Sequence, residues 1–156
     1  MSEEHPLFGR RQKQSLFVLV LMIVGMIYMN RCSSPNSPEA QVKDAIREMV
    51  EGAEKKSIAP FEKHLSDNVQ DEQGRGKKEL LNTLRLIFLQ HPRISLSLMS
   101  LNVEDNTNPD VISADLTLLM GETPLPSDKG NFFLTFRREG DTWRVWEVKW
   151  GEGYGY

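Results

Sequence analysis

The stretch "KKELLNTLRLIFLQHPRISLSLMSLNVED", residues 77 to 105, changes its hydrophobic period half-way. Up to Gln90, the residues Leu80, Leu81, Leu84, Ile87 and Phe88 recur at three- and four-residue spacing, which is one stripe of a helix. Pro92 cannot continue that helix, because its ring removes a backbone donor and clashes with the preceding turn. Beyond it, Ile94, Leu96 and Leu98 alternate with Arg93, Ser95 and Ser97, the period of a strand. The phase then slips, with Leu101 and Val103 apolar, so a bulge near Met99 is predicted to bend the strand.

Outward from this stretch, the C-terminal side is strand-like and the N-terminal side helical. Ile112, Ala114, Leu116, Leu118 and Met120 alternate in a second strand, and Phe132, Leu134 and Phe136 mark a third. "REGD" forms a tight hairpin before a fourth strand from Thr142 to Trp150. On the N-terminal side, Ser37 and Pro38 have the form of an N-cap followed by proline at the first helical position. Val42, Ala45, Ile46, Met49, Val50 and Ala53 then keep helical spacing. "SIAPFEKHL" restarts at Pro60 as a short helical turn, and "SDNVQDEQGRG" reads as a polar loop. Three helices and then consecutive strands predict an α+β domain, with a curved four-stranded antiparallel sheet wrapping the helices as a cone.

The first 32 residues carry a charge of +2 and the remainder −5, giving the formal −3 of the 156-residue chain. With no basic stripe, nucleic acid is excluded as an expected partner. A single cysteine excludes an internal disulfide framework and a cysteine-based zinc site.

Residues 16 to 29, "LFVLVLMIVGMIYM", form an apolar run behind Arg10, Arg11 and Lys13. A cleaved secretory signal needs small residues just before its cut, and a lipoprotein signal needs one immediately before the lipidated cysteine. Met29, Asn30 and Arg31 meet neither need for Cys32, and Pro35 follows the one small candidate, Ser34. An uncleaved anchor over residues 14–30 is the reading preferred, about 25 Å of helix at 1.5 Å per residue. The basic excess before it directs residues 1–13 to the cytoplasm. The expected layout is therefore a cytoplasmic tail (1–13), a single span of the inner membrane (14–30), a linker (31–37) and a periplasmic or otherwise extracytoplasmic domain (38–156). The lipid bilayer is the partner of the span.

The order of elements resembles the nuclear transport factor 2-like superfamily of cystatin-like α+β cones. The matching features are "EGAEKKSIAPFEKHLSDNV" closing the first helix, the glycine-containing loop leading into "GKKELLNTL", and the closing "GDTWRVWEV". The resemblance implies a pocket between the concave face of the sheet and the helices, lined here by Met49, Leu84, Phe88, Leu116, Phe132, Leu134 and Phe136. It also implies frequent dimerisation through the sheet. Superfamily members include isomerase-like, dehydratase-like and cyclase-like enzymes and many domains with no known reaction. The layout is also similar to inner-membrane assembly proteins of type IV secretion machines, although "NPDV" at 108–111 lacks the glycine of their characteristic turn.

Candidate chemistry is sparse. Asp115 lies on a strand but alternates with its apolar face, so it is expected to point outward. His64 and Asp67, three residues apart near the expected pocket mouth, are the candidate catalytic acid–base pair. His91 at a helix end is explained by the helix dipole. "GRG" at 74–76 lacks the lysine of a phosphate loop, and no two-ligand spacing supports a metal. No metal and no cofactor are expected.

The final strand, "TWRVWEVKW", is less ordinary, because both of its faces carry large apolar groups. Either a bulge switches its phase or its outer face is covered. Trp146, Val148 and Trp150 are the candidate interface, meeting a second copy or a membrane-complex partner. The function expected is a membrane-tethered, non-enzymatic binding or scaffold domain for a protein or a small apolar ligand. The alternative is a ketosteroid isomerase-like or polyketide cyclase-like enzyme using His64 and Asp67 as an acid–base pair in the cone.

Overall fold

A computed structural model of the chain describes residues 37–121 and 128–151. Ser37 caps the first helix, α1 (Pro38–Glu54), its side chain accepting the Ala40 amide at 3.2 Å, with Pro38 at the first position. Val42, Ala45, Ile46 and Met49 make the buried stripe of α1. A short helix, α2 (Ala59–His64), packs Pro60 against Gly52 of α1. Next come a strand, β1 (Leu65–Asp71), and the helix α3 (Lys77–Gln90), which buries Leu80, Leu81 and Phe88. Four long strands complete the domain: β2 (Ser95–Asp105), β3 (Val111–Gly121), β4 (Asp128–Glu139) and β5 (Thr142–Trp150).

The α+β class holds, and the sheet departs from expectation in one respect. It has five strands in the order β1-β5-β4-β3-β2, and β1 runs parallel to β5, so the sheet is mixed and not a four-stranded antiparallel one. The segment read as a polar loop is the fifth strand. Its apolar anchors Leu65 and Val69 enter the core, but Ser66 and Asp71 are also buried. Buried polar groups survive in a core only with partners, and both have them. A strand that buries polar side chains carries no apolar alternation to read.

The antiparallel remainder matches its pattern. Leu101 faces Leu116, which faces Phe132, while Asn102, Asp115 and Phe133 occupy the opposite surface in register. Asp115 is exposed, as its alternation predicts. The register of β2 against β3 shifts between Leu98 and Ser100, which places the bulge at Met99. A second shift, between Thr135 and Phe136, leaves Trp146 as the extra residue of β5. Gly140, with φ of +63°, makes the turn between β4 and β5. The core lies between the inner face of the sheet and α1, with Phe136, Val42 and Ile46 at its centre.

Among the described residues no helix is long and apolar enough to cross a membrane. The expected anchor at 14–30, together with Cys32, lies outside the described residues.

Candidate functional site

Three elements meet around a cleft of about 260 Å³. From α1 come Gln41, Asp44, Ala45 and Glu48, which share a helix stripe because they stand three, four and seven residues apart. Lys63 and His64 close α2, and Thr142, Trp143 and Arg144 open β5. Glu48 organises the cleft. Its Oε2 accepts Lys63 Nζ at 2.7 Å and meets His64 Nε2 at 2.7 Å. These hydrogen bonds, from Lys63 first and then His64, hold the Glu48 carboxyl below its ordinary value despite a small opposing cost of burial. The His64 side chain is 11% exposed, so one ring edge is committed to Glu48 while the ring lies largely against protein.

The two residues expected to act as an acid–base pair are engaged separately. His64 belongs to Glu48, whereas Asp67 accepts Lys77 Nζ at 2.7 Å with its own side chain 84% exposed. Lys77 lowers the Asp67 carboxyl, as an adjacent cation must. The reason is the start of β1 at Leu65: successive side chains of a strand alternate in direction, so a helical three-residue spacing does not carry over the boundary. Asp67, Lys77, Lys78 and Arg85 border a broad surface groove with a shared polar rim.

Two further polar clusters went unread in the sequence. Ser66, with no exposed surface, donates to Glu139 Oε1 at 2.5 Å and accepts the Asn68 amide at 3.1 Å, and Arg144 Nε stands 3.5 Å from Glu139. Asp71 accepts the amides of Gln73 and Arg75 and also Arg75 Nε, at 2.9, 2.8 and 2.6 Å. Burial pushes the Asp71 carboxyl up, but the hydrogen bonds from Arg75 and Gln73 outweigh it and leave the carboxyl lowered. The "GRG" turn is therefore wrapped on Asp71, with Gly74 at φ of +74°. Both clusters join residues across element boundaries, and a short polar run gives no sign of that.

The residues expected to line a pocket are packed on one another. Met49, Leu116 and Phe136 belong to the core, with Leu84, Phe132 and Leu134 against it, and Phe88 is buried with its ring 6.5 Å from Phe61. The expected interface triad is also redistributed. Val148 is buried, and Trp150 stacks edge-on against Phe132 at 5.2 Å on the same side. The bulge turns Trp146 to the other surface, where the Arg137 guanidinium lies 4.2 Å from the ring centroid. A bulge, one of the two explanations of the doubly apolar strand, accounts for the pattern. Among the described residues no group of three His, Cys, Asp or Glu side chains is placed to hold a metal ion.

Neither a protein-family profile nor a curated protein sequence matches this chain. Solved structures do. An NTF2-like protein of unknown function from Pseudomonas putida KT2440 superposes with a TM-score of 0.61 at 17% identity, over 72% of this chain and 84% of that one. The domain has an NTF2-like fold. An uncharacterized protein with a cystatin-like fold from Caulobacter vibrioides gives 0.62 at 11% identity, over 70% and 85%. Bd1075 of Bdellovibrio bacteriovorus gives 0.60 at 12%, over 70% of this chain, which spans 38% of that protein. At such identities the likeness bears on fold alone, and the NTF2-like domain keeps its chemistry to be argued from its own residues.

Proposed function

We propose that the chain is a membrane-tethered binding module. Residues 14–30 span the inner membrane with the N-terminus in the cytoplasm, and the NTF2-like domain holds a protein partner on the far side. The observation that supports binding at the surface is the packing of the cone. Phe136, at its centre, has no exposed surface, while Phe133 on the opposite face of the sheet is 46% exposed. Phe133 faces Asp115 and Lys149, and Trp146 lies on the same surface beneath Arg137. Two aromatics on one sheet face among charges have the composition of an interaction patch, for a second copy or a subunit of a membrane complex. A photo-crosslinking residue placed at Phe133 in the full chain, in native membranes, should yield a protein adduct that Trp146→Ala abolishes. The same residue at exposed Glu72 should give none, and equal adducts from both positions would remove the reading. Alkaline extraction and a topology reporter test the span on their own.

One observation favours a second reading, an acid–base enzyme: the contact between His64 and Glu48 sits in a cleft of about 260 Å³. A carboxylate holding one imidazole nitrogen fixes the tautomer and leaves the other nitrogen to take up a proton. Turnover of any substrate found by screening should then lose its pH profile in His64→Gln. A profile that survives the change sinks the enzyme reading.

A further inference from the structure

The second half of α3 carries large apolar residues on its outer side as well as its inner one. Leu84 and Phe88 turn inward, yet Leu86 is 58% exposed, Ile87 39% and Leu89 81%. A surface helix packed on a core needs only one apolar stripe, so the outer leucines answer to something other than this fold. The charge around them is equally uneven. From Leu80 to Val103 the chain has no acidic residue, although the chain as a whole carries more acids than bases. That stretch holds Arg85, Arg93 and His91. Arg85 and Lys78 lie four and eleven residues before Leu89, on the same outward stripe of the helix as Leu89 and Leu86. Lys78 and Arg93 are exposed and take part in no ion pair among the described residues. Of the nearby acids, Glu62 pairs with Arg85, while Glu79 and Glu54 accept the Gly76 and Leu96 amides.

We infer that the outer face of α3 docks on an anionic lipid surface. Leu86 and Leu89 enter the headgroup boundary while Lys78 and Arg93 meet lipid phosphates. Long leucine side chains bordered by Lys and Arg are what an interfacial helix presents. The same bases add electrostatic attraction to an anionic leaflet. The inference rests on the tether of the proposed function, which holds the domain beside a bilayer and raises the effective concentration of lipid. It concerns a surface separate from the Phe133 and Trp146 patch.

The full chain with Cys32→Ser is labelled with an environment-sensitive fluorophore at Leu89→Cys, or at exposed Asp141→Cys as a control. It is reconstituted in vesicles of phosphatidylglycerol with phosphatidylcholine, or of phosphatidylcholine alone. Spin-labelled lipid should quench the label at 89 and not that at 141, in the anionic vesicles. The contact should weaken about tenfold with Leu86→Glu and also fall with salt or with Arg93→Gln. A label at 89 that stays as wet as the one at 141 overturns the inference. So does shielding that follows protein concentration and ignores lipid composition, which would assign the face to a second copy. Alkaline extraction of the same samples reports the span alone, so loss of the anchor and loss of the α3 contact are separate results.

Discussion

Replacing Asp71 by asparagine tests whether β1 and the turn after it are built on one carboxylate. The side chain has no exposed surface and accepts three N–H donors, two on Oδ1 from Gln73 and Arg75 and one on Oδ2 from Arg75 Nε. Asparagine keeps the oxygen for the two amides but turns its NH₂ toward Arg75 Nε, placing a donor against a donor. A hydrogen bond to a charged group contributes about 1.5–3 kcal/mol, and an unsatisfied buried group costs a further ~1–3. Arg75 is 35% exposed and can rotate toward water, which favours the lower part of that range. The expected loss is about 2 kcal/mol, a fall of roughly 1 M in the urea midpoint. Tryptophan emission of the full chain is a suitable reading, since Trp143, Trp146 and Trp150 all lie in β5, the strand that pairs with β1. The pH dependence has a definite sign. Asp71 is lowered in the folded state below its ordinary 3.8, so its contribution is complete above that pH and disappears as pH falls through the folded value. The gap between wild type and variant should therefore close in acid. An unchanged midpoint at neutral pH, or a gap that widens on acidification, refutes the argument.

Gly52→Ala should destabilise the domain by about 1–2 kcal/mol even though alanine is the better helix former, because the new methyl meets the rigid Pro60 ring at 2.8 Å. Thermal melts that show stabilisation would mean that α2 moves aside. Glu48→Gln should cost less than about 1 kcal/mol, since the Glu48 side chain is 48% exposed and its ion pairs are shared with water. What it does contribute should vanish as pH falls below the ordinary 4.5, Glu48 being lowered by Lys63 and His64, and paired urea titrations across that range would read it.

The elements visible in the sequence are those whose local pattern and tertiary role agree. Ser37 and Pro38 mark the start of α1 because the cap is made within three residues. The bulge at Met99 shows as a phase slip because the apolar residues on either side of it still enter the core. The fourth predicted strand has the observed limits, Thr142 to Trp150. β1 was hidden because Ser66 and Asp71 spend their buried positions on polar partners, one of them Glu139, far along the chain. The bulge at Trp146 stayed one of two options because both placements put large apolar groups on each face. In the candidate site, His64 stood out by residue type, but its partner Glu48 lies a helix away and belongs to an otherwise ordinary amphipathic pattern. Spacing along the chain finds neighbours within an element and misses those made by packing.

The parallel pairing of β1 with β5 has a consequence for how the domain is made. Leu65 meets Val145, so the edge strand must wait for a partner that leaves the ribosome 80 residues later. Closing so long a loop is entropically costly and slow, and contacts of this kind lower folding rates. During synthesis the helices and β1 are out while β5, the strand that joins β1 to the rest of the sheet, is still being made. Until it arrives, the buried polar groups of β1 have no cover, and the open edge is available for mispairing. The domain is thus completed from its C-terminal strand backward, and a truncation within β5 should release the first strand along with the last.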